Sequence, residues 1–505
     1  MRITNNIILH NTTGNINGNK VNVNNLNNQM TSQKKIQRPS ENPVIAVRSL
    51  RLRTTLSEID QYYENNIPDA ESWMKVTETA LANMKTILTD IRTQCTYGAS
   101  DQITADDRKT ILTQLEKLRD QVYAEGNADY AGRTVFTGYR TNQKLTFMTD
   151  DNTTSYNITQ GLSYKNLEEH RYYSDEVTLP TTAAEVTGNT ISNPKQATFD
   201  RIRLSYGEID SITDKDGNAL SANGATGTLS YSYTDAAGVT QTDGELKVTV
   251  YDTFEDWAKA SQTADNTYNI TDGEAVFIKE SGELILSSDA SSTIKSGKAS
   301  LDVNYTNITD AAKPVEYIKF ENGKEIYQDI NYVVAANQTL TVNTQASAVF
   351  DASIGRDVDA MIEAVKFAQD ANNKVEELEK MQKMQEYSSD DCQAALEDWI
   401  AAAKKERDYA DDNLQKLYNS YIGNFDDYLQ KVNLANTDLG SKGQSLDLTK
   451  NRMANQQTTM EELKSTNEDR DLSEIIIDYT SAYTAYQASL QAAAKINQTT
   501  LLNYI

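Results

Sequence analysis

The chain has 505 residues, with 48 Lys and Arg against 73 Asp and Glu and a formal net charge of −25. This length exceeds what one hydrophobic core normally serves, so two to four domains are expected. The acidic balance disfavours nucleic acid and anionic membranes as main partners, and no apolar run approaches the roughly 20 residues that cross a bilayer.

The first forty residues contain no Asp or Glu. Apolar residues recur through this Asn-rich stretch at spacings that suit a weakly stable amphipathic helix, among them Ile3, Ile7, Leu26 and Met30. The apolar run near the start is short and has no small-residue cleavage site, so no secretory signal is expected. Two prolines then predict a hinge, formed by Arg38, Pro39, Ser40 and Pro43, that closes an N-terminal polymerisation segment at 1–43.

From Val44 to 144 the apolar spacing predicts the N-terminal half of a helical rod. The spacing slips between Tyr63 and Ala70, where the apolar stripe needs two consecutive steps of four, and Pro68 lies inside the slip. We expect a kink or break there. Thr104 begins a second helix, through a cap of the form Thr-Ala-Asp-Asp, and this helix is expected to fold back on the first.

Between 145 and 350 the period of the apolar residues changes to two, which predicts a β-rich outer domain. Its size suggests two subdomains. The turn pairs Asp216-Gly217, Asp243-Gly244 and Asn322-Gly323 punctuate these runs, and the last predicts a type I′ hairpin. A short helix is expected around Phe254 to Ala260.

Helical spacing returns over 351–466 as the C-terminal half of the rod. A polar break then precedes a C-terminal polymerisation helix at 467–505, whose only basic residue from Tyr479 onward is Lys495. Its apolar residues are expected to contact other subunits, and they are Leu472, Ile476, Tyr479, Tyr483, Tyr486, Leu490, Ile496 and Leu501. The predicted fold class is α+β multidomain: a long antiparallel helical rod formed by the N- and C-terminal regions, with a large β-rich insertion.

Residues with catalytic or metal-binding chemistry form no recognisable site. The two histidines, His10 and His170, have no ligand-spaced partners, and the two cysteines are favoured as unpaired thiols over one disulfide. Asp214 to Asn218 resembles the start of a calcium loop, but its Gly falls at the fourth position, so a hairpin turn is favoured. We therefore expect no enzyme activity, no cofactor and no metal.

Several separate motifs occur in order at the two ends of the chain. At the N-terminal side these are Met1 to Asn6, the hinge with Ala46 to Arg53, and Phe136 to Thr141; at the C-terminal side they are Asn467 to Glu474 and Tyr486 to Ile496. Together these motifs resemble the FlgL-type hook-filament junction proteins of the flagellin superfamily. Gln33 stands where this family usually has Gly. The likeness covers roughly residues 1–145 and 345–505.

The resemblance implies a flagellin-like fold and a structural role in the bacterial flagellum. It implies export without a signal peptide, with help from an export chaperone, and an extracellular location at the hook-filament junction. The implied partners are further copies of the chain in a ring, the first hook-associated junction protein and flagellin. Flagellin itself is one alternative, and a flagellar scaffold whose β insertion binds a surface or carries an enzyme is another.

Overall fold

The computed structural model describes residues 5–100, 104–145, 155–235, 237–261, 268–308, 319–321 and 324–498. In chain order its helices are α1 (Asn5–Ser32), α2 (Pro43–Asp60), α3 (Ile67–Gly98), α4 (Ala105–Glu125), α5 (Ala183–Gly188), α6 (Phe254–Ser261), α7 (Ser288–Ser296), α8 (Ala352–Gln382), α9 (Asp390–Glu468) and α10 (Leu472–Gln498). Its strands are β1 (Asp129–Tyr130), β2 (Arg133–Thr134), β3 (Ser155–Ser163), β4 (Leu167–Ser174), β5 (Lys195–Arg203), β6 (Ile209–Thr213), β7 (Ala219–Leu220), β8 (Ala225–Thr234), β9 (Thr240–Tyr251), β10 (Glu274–Ile278), β11 (Glu283–Leu286), β12 (Ser300–Ile308), β13 (Lys319–Glu321), β14 (Lys324–Ile326), β15 (Asn331–Ala335) and β16 (Gln338–Thr341). Helical regions at both ends of the sequence flank a β-rich centre, which confirms the predicted fold class.

The chain divides into two compact units. The first consists of Met1–Ser72, Asn331–Thr341 and Ser441–Ile505, and the second of Trp73–Ile330 and Val342–Gly440. The region predicted as an outer domain at 145–350 is therefore divided between the two units, because the β15–β16 hairpin belongs to the first unit.

In the first unit, residues from the two halves of the sequence pack together. α1 packs against α10. The end of α9 is tied to the start of the helical N-terminal region by the Lys450–Glu71 ion pair at 2.7 Å and by a hydrogen bond from Gln457 to Asp60 at 2.8 Å. This meeting of opposite ends is what the paired helical patterns predicted.

A π-helical turn, Gln61–Asn66, joins α2 to α3. The Ile67 N–H donates to the carbonyl of Tyr62, five residues back. One π turn adds a residue to the helical repeat, and so it absorbs the slip predicted between Tyr63 and Ala70. The expected kink is thus a π turn, and Pro68 lies in the first turn of the helix that follows it.

In the second unit, α3 and α4 form the predicted helical hairpin. Thr104 caps α4 in a reciprocal capping box with Asp107. Asn83 on α3 donates to the Glu125 carboxylate at the other end of α4 at 3.2 Å. α4 also packs against α8, where Arg119 pairs with Asp359 at 2.9 Å.

A ten-stranded sheet forms the β part of the second unit, with the strand order β4-β5-β11-β10-β9-β8-β12-β6-β7 and β3 paired to β12. The pairing of β10 with β9 is parallel, and the others are antiparallel. One face buries a core that includes Leu229, Val248 and Tyr305. The other buries an aromatic cluster around Tyr172 and Trp257, the second of which lies on the predicted short helix, α6.

One of the three predicted turns is present as a turn in the described residues. Asp216-Gly217 lies between β6 and β7, where Gly217 has φ +85° and the Asp214 carboxylate accepts from the N–H groups of Asp216 and Asn218. That carboxylate is used by the turn, in agreement with the hairpin interpretation of this segment. Asn322-Gly323 lies outside the described residues, and the strands on its two sides, β13 and β14, pair antiparallel.

The turn predicted at Asp243-Gly244 is wrong, because both residues lie inside β9. Gly244 is paired across the sheet with Tyr231, and a Cβ at Gly244 would lie 2.5 Å from that ring. The glycine therefore makes room for a cross-strand aromatic side chain. The chain reverses instead at Asp235 to Val239, where Gly238 has φ +79°.

Candidate functional site

The paired terminal helices leave many apolar side chains exposed. Most of the large apolar side chains that are exposed in the described residues belong to the first unit. On α1 and α10 they are Ile7, Leu9, Val21, Leu472, Ile476, Ile477, Tyr483 and Leu490. Exposed apolar groups concentrated on one face are typical of surfaces that another chain covers.

The predicted interface residues divide into three groups. Leu26 is buried, and Met30, Tyr479 and Tyr486 are half-buried. Ile7 is 51% exposed, and Leu472, Ile476, Tyr483 and Leu490 are 42–46% exposed. Ile3 and Leu501 lie outside the described residues, as does the side chain of Ile496.

The apolar stripe predicted on the last helix is therefore only partly covered within the chain. Ile475, which is not on that stripe, is the fully buried apolar residue of α10. The Tyr479 and Tyr483 rings stack at 6.0 Å between centroids and 10° between planes. Some side chains of α10 therefore pack within the chain, while others remain exposed.

A second exposed apolar row lies on α2. Val44, Val47 and Leu50 follow one another at intervals of three residues and are 69%, 51% and 64% exposed. Sequence reasoning placed these positions in the helical rod and did not single them out. Their spacing on one helical face was the available signal.

A cluster of polar contacts joins the region between α1 and α2 to the region between α9 and α10. We call it the connector clasp, and its residues are Lys34, Ser49, Arg53, Glu468 and Asp469. Its backbone part is an isolated antiparallel bridge between Lys34 and Asp469. The Lys35 N–H donates to the Glu468 carbonyl at 2.7 Å, and the Arg470 N–H donates to the Gln33 carbonyl at 3.0 Å.

Glu468 is the centre of the connector clasp and is 5% exposed. Arg53 donates to both of its carboxylate oxygens at 2.7 Å, through Nε and Nη2. The Ser49 hydroxyl also donates to it, and Lys34 lies 3.4 Å away. The hydrogen bonds from Arg53, together with those from Ser49 and Lys34, lower the pKa of Glu468 to about 2 despite its burial.

Further hydrogen bonds extend the clasp to the terminal helices. Arg470 donates to the Gln29 side chain on α1 at 2.7 Å and pairs with Asp478 on α10. Asn467 donates to the Ile45 carbonyl at 3.2 Å. The two terminal helices are therefore held together at their inner ends by directed polar contacts.

The predicted hinge residues occupy the exposed turn before α2. Arg38, Pro39 and Ser40 lie in the turn, which the Glu41 N–H closes by donating to the Arg38 carbonyl at 3.0 Å. Pro43 is the first residue of α2, where its missing N–H costs nothing, and Asn42 caps the helix. The polar break predicted at the C-terminal side is the gap between Glu468, which ends α9, and Leu472, which starts α10.

The described residues contain no group of three or more His, Cys, Asp and Glu side chains placed to hold a metal ion. Cys95 and Cys392 are both buried and unpaired, as predicted. No helix within the described ranges is long and apolar enough to span a bilayer.

Comparison with known proteins identifies both ends of the chain. Residues 3–141 match the bacterial flagellin N-terminal helical region, and residues 422–505 match the bacterial flagellin C-terminal helical region. Flagellar hook-associated protein 3 of Salmonella typhimurium is 27% identical over 117 residues, which are 23% of this chain and 37% of that protein. Its Escherichia coli counterpart is 28% identical over 116 residues, which are 22% of this chain and 36% of that protein.

The matched segments thus span little more than a third of each of these relatives. A crystal structure of Xanthomonas campestris FlgL aligns with 82% of this chain and 99% of its own at 12% identity, with a TM-score of 0.29. The resemblance predicted from the motifs at the two ends is confirmed. The N-terminal and C-terminal flagellin helical regions are both matched, in that order along the chain.

Proposed function

We propose that this chain is a structural subunit of the bacterial flagellum, located outside the cell, that assembles through its paired terminal helices. The observation that carries the proposal is the exposed apolar surface of α1, α2 and α10, on helices that the connector clasp holds together. The names of the sequence relatives, which are flagellar hook-associated proteins, support the flagellar setting. The proposed role is structural and involves no catalytic step.

In its finer form the proposal places the chain in a junction ring, between the first hook-associated junction protein and the flagellin filament. Copies of the chain would cover one another's terminal helices, and an export chaperone would cover them before assembly. Apolar burial of about 25 cal/mol per Å² makes such coverage favourable once several subunits meet.

A deletion strain tests this form of the proposal. Loss of the gene should leave hooks intact, abolish filaments and release flagellin monomers into the medium. Hooks that carry their junction proteins but have no flagellin pool would identify the chain as the filament subunit instead. That alternative has support of its own, because the matched family regions are those of flagellin.

A point variant tests the surface. Ile476→Asp places a charge on the open face of α10 and should abolish filament assembly in a complemented strain while the purified protein keeps its circular dichroism spectrum. Met384→Asp is the matched control, because Met384 is 51% exposed and lies in the second unit. Normal assembly by Ile476→Asp would contradict the proposed role of this face.

A further inference from the structure

The second unit contains an arginine-walled cleft that the assembly function does not use. The cleft is about 590 Å³ and lies among β4, β5, α8 and α9. A smaller cavity of about 260 Å³ adjoins it. Both volumes together fall in the range of small-molecule sites.

The wall common to the two cavities is unusually basic for a chain of net charge −25. The side chains that line both are four arginines, one histidine and one asparagine, with no carboxylate: Arg171, Arg201, Arg203, Arg356, His170 and Asn413. An anion at this boundary would face several guanidinium groups at once.

Three of the carboxylates that line the two cavities are already bound by these arginines, and Arg171 pairs with Asp412. Glu168 accepts from Arg201 Nε at 2.8 Å and from Arg203 Nη2 at 3.0 Å. Glu283 accepts from Arg201 Nη1 at 2.7 Å. Asp357, which is fully buried, pairs with Arg203 and accepts from Asn424 and Tyr428 at 2.9 Å each.

Arg356 is left with backbone partners. It donates to the Leu204 carbonyl at 2.6 Å and to the Ser281 carbonyl, and no ion pair to it is found among the described residues. Burial, followed by the charge of Arg203, lowers the pKa of Arg356 to about 10. A bound carboxylate would reverse the second effect, because an opposite charge nearby favours the cation.

Two side chains that line the cleft each have a buried polar atom without a hydrogen-bond partner among the described residues: Arg201 Nη2 and the Tyr421 hydroxyl. Arg201 is 97% buried, and Tyr421 is 98% buried. Buried polar groups normally have partners. Each atom has less than 1 Å² of accessible surface, so its side chain would turn toward the cleft to reach a ligand oxygen.

The rest of the lining is suited to hydroxyl groups. It includes both acceptors and donors, among them Glu169, Asn424, Asp427 and Lys431, with Tyr428 as a second aromatic side chain. Asn424 and Tyr428 also donate to Asp357, and Lys431 donates to Asp351. Its size and mixed polarity favour a sugar over a simple ion. We propose that this cleft binds a carboxylated sugar, with the carboxylate facing Arg201 and Arg356 and the hydroxyls facing the amides and carboxylates of the outer lining.

The test uses the full chain and titrates it with glucuronate, glucose or acetate at constant ionic strength, followed by saturation-transfer NMR. Glucuronate should bind at one site. Glucose and acetate should each bind at least about tenfold more weakly than glucuronate, since each lacks part of the contacts. Equal binding of acetate and glucuronate, or no binding of glucuronate, would overturn the proposal.

Two tyrosine variants locate the site. Tyr421→Phe removes only the hydroxyl and should weaken glucuronate binding about tenfold, the equivalent of one hydrogen bond. Tyr418→Phe is the matched control. Tyr418 lies on the same helix as Tyr421, and its hydroxyl is also buried without a partner among the described residues, but Tyr418 does not line the cleft. Identical affinities for the two variants, each with a wild-type melting temperature, would show that the sugar does not bind at Tyr421.

Discussion

Glu468 connects the sequence motifs at the two ends of the chain. The motif from Ala46 to Arg53 supplies Ser49 and Arg53, and the motif from Asn467 supplies the carboxylate that both of them contact. Sequence reasoning used these motifs for the resemblance and treated the second as a break. The signal that could have paired them is their opposite charge beside two predicted hinges.

The lowered pKa of Glu468 makes the connector clasp sensitive to acid. The folded-state pKa is about 2, below the ordinary value of 4.5, so the stabilisation is fully present above about pH 4.5 and is lost as the pH falls towards 2. Hydrogen-exchange protection of α1 and α10, corrected for intrinsic rates, should therefore decrease across that window.

The variant Glu468→Gln isolates this contribution. It should show reduced protection at neutral pH, by about 1–3 kcal/mol for a buried charged acceptor, and less change between pH 4.5 and 2. Glu461→Gln is the control, since Glu461 is exposed on the same helix. A wild-type pH profile in Glu468→Gln would contradict this role.

Gln33 ends α1 in a conformation that favours glycine. Its φ is +56°, and its N–H donates to the Gln29 carbonyl at 2.7 Å, which is a left-handed helix cap. The resemblance drawn from the sequence implies Gly at this position, and a left-handed backbone conformation favours that residue.

Gln33→Gly should stabilise α1 by about 0.5–1 kcal/mol, because relief of the left-handed strain exceeds the added chain entropy. Gln33→Ala keeps a Cβ in the same conformation and should give no gain. Amide protection along α1 is the measurement, and equal protection in the two variants would argue against strain at this residue.

At the scale of elements, the helices and the breaks in their apolar spacing could be predicted where the repeat of apolar residues was long. The capping box at Thr104, the break before Leu472 and the slip around Pro68 were all located from local residues. Gly244 was misread, since a glycine that makes room for the Tyr231 ring cannot be told from a turn glycine without knowing the strand register. The arginine-walled cleft was also missed, because its residues come from four elements distant in sequence.

The π turn sets the rotation of α2 relative to the start of α3. Inserting an Ala after Asn65 adds a residue beyond the one that the π turn accommodates and should rotate α2 by about 100°, which would move Ser49 and Arg53 away from Glu468. We expect faster limited proteolysis between residues 33 and 60. Asn65→Ala keeps the length and should digest like the wild type, and equal digestion of the insertion variant would show that the π turn does not fix this register.

At the scale of the whole molecule, the ends of the sequence and its middle belong to different compact units. The second unit contains no residue from 441 onward, and its three core clusters in the described part of the chain include no residue of α10. The first unit instead depends on α1, α10 and the connector clasp, with much of its apolar surface open. Stability of the second unit and assembly through the first should therefore be separable.

Removing Leu490 to Ile505 tests that separation. The truncated chain should keep the far-ultraviolet circular dichroism of the sheet and the long helices, losing only the signal of the removed turns, and should keep the melting transition of the second unit. It should fail to restore filaments in the deletion strain, because part of the open apolar face of α10 is gone, including Leu490, which is 42% exposed. Met384→Ser, which also removes an exposed apolar side chain, should restore them. Global unfolding of the truncated chain would mean that α10 stabilises the whole molecule, and restored filaments would mean that assembly does not need this part of the helix.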